Sequence, residues 1–374
     1  MGVSKHLDNQ KSTLPEGTGG GINPVRKEEK KRYEWIDNAR IVAAWMIACA
    51  HMPFLFPFNS YASCSLAHKL TMDSVYHGRV PFFLILAGYF LGRKITWSKA
   101  FDRALWLLIP FFIWNFLYYA WTHHALHLDL LQTFYDVPKM LGVGAVFDKN
   151  WTICGLAPIQ PSIGPTWFLR DIVVLSLITP ILAKFKKALL VIVAIVCVLF
   201  AECDQTDAPV VLLLPATCAY YCLGISLSNY TINDAYLILN KRFTPFVVTG
   251  FLAAVCYVIC SEYMELPPFP CTLLGGAFGA LMIAQCGVLI EKHMPKLSKR
   301  LAPCGPACFL VFVLHMPLLR TLADILPREF CSGVWVWSFT VLCCGVIIAI
   351  FLLMKRYVPW LMPYLGHMKV PKKS

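Results

Sequence analysis

The sequence Trp35-Ile-Asp-Asn-Ala-Arg40-Ile-Val-Ala-Ala-Trp-Met-Ile-Ala-Cys-Ala-His51 places Arg40 and His51 in one hydrophobic segment. At about 100° per residue, the steps from Arg40 to His51 end within about 20° of a whole number of turns. We therefore expect both side chains on one helix face, roughly 16 Å apart along the axis. Ionisable groups inside membrane-spanning helices are rare and usually functional, so the segment predicts a membrane-embedded site.

The composition of the whole chain is that of a membrane protein. Its 374 residues are 58% hydrophobic and 14% charged, whereas soluble domains are about 25% charged. We predict an all-α polytopic membrane protein with about ten transmembrane helices, each near the length that a bilayer requires. The predicted spans are 36–56, 77–93, 104–122, 167–184, 187–203, 209–228, 243–262, 270–290, 307–325 and 334–354.

The distribution of charge predicts the orientation of these spans. Most of the 33 lysine and arginine residues fall in the two tails and in alternate loops, which the positive-inside rule assigns to the cytoplasm. Both termini are therefore predicted to be cytoplasmic, with residues 1–34 as a disordered tail, 35–358 as the membrane domain and 359–374 as a basic tail. Because the cations flank hydrophobic segments, the net charge of +12 does not indicate nucleic-acid binding.

Arg40 and His51 each have a structural and a functional interpretation. Arg40 is either a cation at the membrane surface paired with Asp37, or an anchor for an anionic ligand such as a phosphate. His51 is either a buried neutral histidine bonded to a carbonyl, or a general base that takes a hydroxyl proton. Pro53 lacks the N–H that would bond to the carbonyl of Cys49, which predicts a kink or an end to the helix beside His51.

Four segments in the same order resemble one family of membrane proteins. An Arg, ten intervening residues and a His in the first span is the family signature. Val80-Pro-Phe-Phe-Leu-Ile-Leu-Ala-Gly88-Tyr resembles its second-span pattern V-P-x-F-F-x-x-S-G-Y, and Gly164-Pro-Thr-Trp167-Phe-Leu resembles its W-F-L motif. Cys308-Phe-Leu-Val-Phe-Val-Leu-His315 resembles a late S-x-x-x-Y-x-x-H pattern. Over about 34–358, the chain thus resembles the acyltransferase family 3 membrane proteins.

The resemblance implies an activity, a donor and a location. The opening Tyr33-Glu-Trp-Ile-Asp-Asn-Ala-Arg40 is most similar to the subgroup that O-acetylates cell-surface polysaccharides. Members take an acetyl group from cytoplasmic acetyl-coenzyme A and transfer it to a sugar hydroxyl on the outer side of the bacterial inner membrane. The chain departs from the family pattern at three positions, where hydroxyl-bearing residues are replaced by Ala87, Cys308 and Phe312.

The same resemblance implies a donor site and a catalytic base. Coenzyme A carries several phosphates, and cations at the inner ends of the spans would bind them. His51 would accept the proton of the acceptor hydroxyl, and both direct attack and a covalent acyl-enzyme are compatible with the sequence. The predicted donor-binding residues are Arg40, Arg93, Lys94 and Arg103.

Five further residues are candidates for contact with the acceptor. His77 and Arg79 at the start of the second span either contact the sugar or anchor the helix at the interface. Trp167 is either an interfacial residue or a platform for a sugar ring. Arg170 either pairs with Asp171 or, as an alternative to Trp167 or His315, donates to the oxyanion that acyl transfer forms. His315 is either a polar contact between packed helices or part of the site.

Metal binding and a disulfide framework are not expected. His123 and His127 are spaced to share a metal, but no further ligand pattern completes a site. Most of the sixteen cysteines fall inside predicted spans, where small residues favour close helix packing. Five fall on the predicted outer side, where oxidation is possible, and these are Cys64, Cys154, Cys203, Cys271 and Cys331.

Two other functions are compatible with the same residues. Ten spans with polar residues and Pro-interrupted helices also suit a transporter or flippase of a lipid-linked sugar. Loss of the three hydroxyl groups is compatible with a catalytically silent relative that acts in assembly. Membrane lipids, the acyl donor and a glycan acceptor are the predicted partners, and the acyl transferase is the favoured function.

Overall fold

A computed structural model describes residues 33–55, 66–93, 95–122, 167–199, 215–241, 248, 250–252, 268–325 and 334–366. Within these residues, the regular secondary structure is helical and contains no strand. This confirms the predicted all-α class. The number of spans and the cytoplasmic location of the termini stay predictions.

The structure gives bounds for eleven α-helices and two short 3-10 segments, and residues 248 and 250–252 are also helical. The 3-10 segments, Ala183–Phe185 and Ala302–Ala307, each join two helices. The helices are α1 Glu34–Leu55, α2 Leu66–Gly92, α3 Trp97–Thr122, α4 Trp167–Leu182, α5 Lys186–Leu199, α6 Pro215–Leu227, α7 Ile232–Lys241, α8 Pro268–His293, α9 Pro295–Leu301, α10 Cys308–Ile325 and α11 Val334–Tyr357.

Several of these helices have the length and composition of membrane spans. Among the described residues, Trp97–Leu117, Leu273–His293, Pro295–Leu319 and Ser338–Tyr357 are long and apolar enough to cross a bilayer. Large apolar side chains also point outward, for example Phe101 on α3. An outer surface of this kind fits contact with lipid chains rather than water.

The structure differs from the prediction where helices continue beyond hydrophobic segments. α2 begins eleven residues before the predicted span because hydropathy does not register its polar first turns. α7 falls in a predicted loop, and its start has a capping box. The Thr231 N–H donates to Asp234 Oδ2 at 2.9 Å, and the Asp234 N–H donates to Thr231 Oγ1 at 3.1 Å. Hydrogen bonds from Thr231 also lower the pKa of Asp234.

α1 is the central helix of the described bundle. It packs against α2, α8, α10 and α11. Small side chains make this close packing possible, because Ala39, Ala43 and Ala48 are fully buried. The helix that carries Arg40 and His51 is therefore enclosed by its neighbours along most of its length.

Glycines allow a close helix contact between α2 and α6. A methyl group at Gly88 would overlap the carbonyl oxygen of Tyr221, and one at Gly224 would overlap that of Ile85. Gly88 belongs to the second-span sequence motif, so at least this part of the motif has a packing role. The contact holds α2 against α6 and thereby fixes the side of α2 that faces the site.

We predict opposite effects for two glycine-to-alanine substitutions. Gly224→Ala forces a methyl group onto the α2 backbone, and overpacking of this kind costs about 1–3 kcal/mol. Gly345→Ala on α11 is the matched control, because nothing lies within 4 Å of the added methyl and alanine favours helix by about 1 kcal/mol. Thermal unfolding in detergent, followed by size-exclusion elution, should show a lower midpoint only for Gly224→Ala. Equal midpoints would contradict the packing described.

Residues after α11 also contribute to the bundle. Residues 358–366 form turns in which Met362 is buried. Trp114 Nε1 donates to the carbonyl of Leu365 at 3.4 Å. Gly366 has a φ of 107° and lies against Phe309, a position that a side chain would strain. Part of the segment assigned to the C-terminal tail thus packs beside α3 and α10.

Candidate active site

Arg40 and His51 lie on the same helix, and each is bonded within it. Arg40 Nη1 is 3.3 Å from Asp37 Oδ1, and about a third of the Arg40 side chain is exposed. His51 Nδ1 is 2.8 Å from the carbonyl oxygen of Ile47. α1 continues two residues past Pro53, so the proline does not end the helix at His51.

A second histidine lies directly beside His51. His315 Nε2 is 3.4 Å from His51 Nδ1, and the two rings meet edge to face with centroids 4.9 Å apart. His315 is fully buried, and its Nδ1 is 2.9 Å from the carbonyl oxygen of Val311. Helices α1 and α10 therefore contribute one imidazole each to a pair, and each imidazole is held by a carbonyl one turn earlier.

Buried polar residues surround this pair. The Arg79 guanidinium is buried within electrostatic range of both histidines. Thr340 on α11 is fully buried and bonds to two residues of α1, with Cys49 Sγ at 3.0 Å and Trp45 Nε1 at 3.2 Å. Sequence reasoning did not single out Thr340, since an isolated threonine in a hydrophobic segment carries no signal of its partners.

A cavity of about 440 Å³ opens toward the Arg40 end of the same helix. Arg40 and Arg103 line it among apolar or small residues, most of them on α2, α3, α4 and α10, and none of the described lining residues is acidic. Its volume is within the usual range for small-molecule sites. Two cations facing one largely apolar cavity make it suitable for an anionic ligand with an apolar part.

Arg103 is the more buried of the two cations. Among the described residues its buried Nε has no hydrogen-bond partner, and Arg40 acts on it electrostatically as a like charge. A second cavity, of about 390 Å³, is lined by Lys99, Asp102 and Trp106 among others and shares Arg103 and Phe90 with the first. The Arg103 guanidinium thus lies where the two cavities adjoin, with unmet capacity for hydrogen bonding.

Aromatic rings lie between the cavity and the histidine pair. Phe168 has its ring centroid 6.4 Å from that of Phe83 and 5.2 Å from that of Phe312. All three line the cavity. Phe312 also packs with Ile47 in one buried cluster. Phe312 precedes His315 by about one helical turn on α10, and Ile47 precedes His51 by about one turn on α1. The cavity therefore ends about one turn short of the two imidazoles.

The three departures from the family pattern share this cavity. Ala87 on α2 and Cys308 and Phe312 on α10 all line its wall. Each replaces a hydroxyl-bearing residue of the pattern with a less polar one. The cavity of this chain is consequently less polar than the family pattern would make it, while both cations are present.

Arg93 lies away from the cavity that Arg40 and Arg103 line. Its Nη1 donates to Tyr89 Oη at 3.3 Å, and Tyr89 Oη donates to the carbonyl of Tyr230 at 2.8 Å. Tyr89 and Tyr230 line a different, apolar cavity of about 450 Å³ between α1, α2, α6, α7 and α8. Lys94 is outside the described residues.

The structure describes only part of the predicted acceptor set. Arg170 donates from Nε and Nη2 to Asp171 Oδ1 at 3.1 and 3.0 Å, which is the pairing considered as its structural interpretation. Trp167 begins α4, and His77 lies within α2, but their side chains are outside what the structure describes. Of the five, Arg79 and His315 lie close to His51.

The described residues contain no group of three or more His, Cys, Asp or Glu side chains that could hold a metal ion. His123 and His127 are outside these residues. The thiols of Cys218 and Cys222 on α6 and of Cys343 and Cys344 on α11 are free. The side chains of the five predicted outer cysteines are not described, so their pairing stays open.

Comparison with known proteins addresses the chain as a whole. A family model described as an acyltransferase domain matches residues 33–355. The succinoglycan biosynthesis protein ExoH of Rhizobium meliloti (strain 1021) is 22% identical over 353 residues, which are 88% of this chain and 90% of that protein. No solved structure matches significantly. Because the family model covers the helices that form both the cavity and the histidine pair, the chain belongs to this acyltransferase family.

Proposed function

We propose that this membrane O-acyltransferase transfers an acetyl group from acetyl-coenzyme A to a hydroxyl of a surface polysaccharide or its lipid-linked precursor. One observation carries the proposal: Arg40 and Arg103 line a cavity at one end of α1, and the His51–His315 pair lies toward the other. A donor with phosphates at one end and a thioester at the other fits such an arrangement.

The donor would bind with its phosphates at the arginines. Guanidinium groups bind phosphate oxygens through paired hydrogen bonds, and the buried Arg103 Nε has no partner within the part of the chain that the structure describes. The pantetheine arm is thin and largely uncharged, which suits the apolar walls of the cavity. To bring the thioester to His51, the rings of Phe83, Phe168 and Phe312 would have to move apart.

His51 would act first as a base and then as an acid. Its Nε2 takes the proton of the acceptor hydroxyl while that oxygen attacks the thioester carbonyl carbon. The tetrahedral intermediate then collapses, the C–S bond breaks, and the thiolate of coenzyme A takes the proton back from His51. The products are an ester and free coenzyme A, and the protein returns to its starting state.

Arg79 is suited to stabilise the oxyanion of this intermediate. It is buried within electrostatic range of both histidines, and a fixed positive charge in a water-poor site strongly stabilises developing negative charge. We therefore assign Arg79 to the oxyanion rather than to the sugar. Arg170, bonded to Asp171, is less suited to that role.

The acceptor and the location rest on the family and on the charge pattern. The relative ExoH is named for succinoglycan biosynthesis, which supports a polysaccharide acceptor for this chain as well. The positive-inside distribution supports a multi-pass protein of the bacterial inner membrane whose Arg40 end faces the cytoplasm. The acceptor hydroxyl would then approach His51 from the outer side.

Transfer of labelled acyl groups tests this function. Membrane vesicles from a strain that expresses the protein are supplied with acetyl-labelled coenzyme A and the host's surface glycans, with vesicles from the parent strain as control. We expect base-labile label in the glycan only when the protein is present, and more from acetyl- than from succinyl-coenzyme A because the cavity walls are apolar. A glycan that crosses the membrane but gains no label would instead support a transporter.

A further inference from the structure

The hydrogen bonds of the two histidines fix which ring nitrogens carry protons. A carbonyl oxygen only accepts hydrogen bonds. His51 Nδ1 is 2.8 Å from the Ile47 carbonyl and His315 Nδ1 is 2.9 Å from the Val311 carbonyl. Both Nδ1 atoms therefore carry a hydrogen. In the neutral form of each ring, the lone pair is consequently on Nε2.

The contact between the rings then has a defined direction. His315 Nε2 faces His51 Nδ1 at 3.4 Å. With a lone pair on the first and a hydrogen on the second, the contact is attractive, and the His51 N–H is shared between His315 and the Ile47 carbonyl. A hydrogen on His315 Nε2 would instead face another hydrogen, so this geometry favours neutral His315.

We propose that His315 is a positioning residue that acts through His51. It holds the Nδ1–H form of His51, which places the lone pair on Nε2, the nitrogen proposed to take the acceptor proton. When His51 takes up the proton, the lone pair of His315 stabilises the resulting imidazolium at its Nδ1–H. A buried group bonded behind the base is known to do both tasks in Ser-His-Asp enzymes, where it is a carboxylate. The inference rests on the proposed function, because it requires His51 to act as a base.

This role differs from direct contact with the acceptor. His315 is fully buried, and its two nitrogens are used by Val311 and His51. With a lone pair on Nε2, His315 has no hydrogen to offer an oxyanion. His315 lies in the second turn of α10, so the helix holds its ring at a fixed position beside His51.

Two substitutions separate the two bonds of His315. In His315→Gln the side-chain oxygen reaches about as far as Nε2, so it can accept from His51 Nδ1. In His315→Asn the amide reaches about as far as Nδ1, so it keeps the bond to Val311 and loses the one to His51. We expect kcat for acyl transfer to fall by about 100-fold in His315→Asn, the lower end of acid–base contributions, and to fall far less in His315→Gln. The KM values for donor and acceptor should change little in both.

A double-mutant cycle completes the test. If His315 acts through His51, adding His315→Asn to His51→Gln should cause no further loss of activity, because the effects of residues that act as a unit are not additive. Equal losses in the asparagine and glutamine variants, at matched unfolding midpoints, would overturn the proposal. A rise confined to the KM of the acceptor would also overturn it by showing substrate contact. Absence of transfer by the wild-type protein would contradict the proposed function instead.

Discussion

Replacing His51 with glutamine is expected to lower kcat for acyl transfer by about 100- to 10,000-fold, the usual contribution of general acid–base catalysis. Glutamine has a similar reach and polarity but takes up no proton near neutral pH. Its amide lies near the position of Nε2 and not of Nδ1, so the hydrogen bond to the Ile47 carbonyl is lost, but the donor site lies at the Arg40 end of α1, away from this change, and should be preserved. The KM for the acyl donor should therefore stay close to the wild-type value.

His293→Gln provides a matched control for this result. His293 is exposed in the last turn of α8, and the same chemical change there should leave kcat unchanged. Initial rates of labelled ester formation by purified protein would give both parameters. If His51→Gln retained wild-type kcat, another group would have to act as the base.

Replacing Arg103 with glutamine is expected to raise the KM for the acyl donor by about 10- to 100-fold. Hydrogen bonds to charged groups contribute about 1.5–3 kcal/mol, and Arg103 is buried at the junction of the two cavities with an unpartnered Nε. The reaction itself takes place near His51, so kcat at saturating donor should change by only a few fold.

Arg93→Gln separates this site from a general effect of positive charge. Arg93 is also close to the predicted cytoplasmic surface, but it is bonded to Tyr89 beside a different cavity. We expect the KM of the Arg93→Gln variant for the donor to stay within about twofold of wild type, since exposed charges contribute little to binding energy. Equal increases for both variants would place the donor outside the Arg40–Arg103 cavity.

Hydrophobic patterning predicted much of the helical structure, because membrane helices must satisfy their backbone groups internally. The described helices coincide with the centres of most predicted spans. The sequence also predicted correctly that Arg40 and His51 lie on one helix. The prediction failed at α7, where a short amphipathic helix with a capping box has no hydrophobic run to reveal it.

The contact between His51 and His315 could not be derived from sequence spacing. The two residues are 264 positions apart, and their pairing depends on how α10 rotates against α1. One signal was present, since each histidine is followed by Met-Pro. The repeated His-Met-Pro sequence suggests that the two histidines have similar surroundings. Only the packed structure shows that the His315 ring lies against the His51 ring.

Sequence spacing also could not predict that Arg93 and Arg103 lie beside different cavities. Both flank one predicted loop, and hydropathy reports only their distance from the membrane surface. Which helix face each side chain occupies depends on contacts such as that between Gly88 and Tyr221. Likewise, only the folded chain brings Ala87 together with Cys308 and Phe312 in one cavity wall.

Sidedness of transfer is the most direct measurement, because the donor cavity and the histidine pair are proposed to be reached from opposite faces of the membrane. Acetyl-coenzyme A is too strongly charged to cross a bilayer, so sealed vesicles of defined orientation can be given labelled donor on the outside only. Everted vesicles should acylate a glycan acceptor in their lumen, and right-side-out vesicles should acylate an external acceptor only after permeabilisation. His51→Gln should lower transfer in both by at least about 100-fold. Equal transfer from external donor in sealed right-side-out vesicles would contradict a donor site at the Arg40 end and an acceptor site at His51.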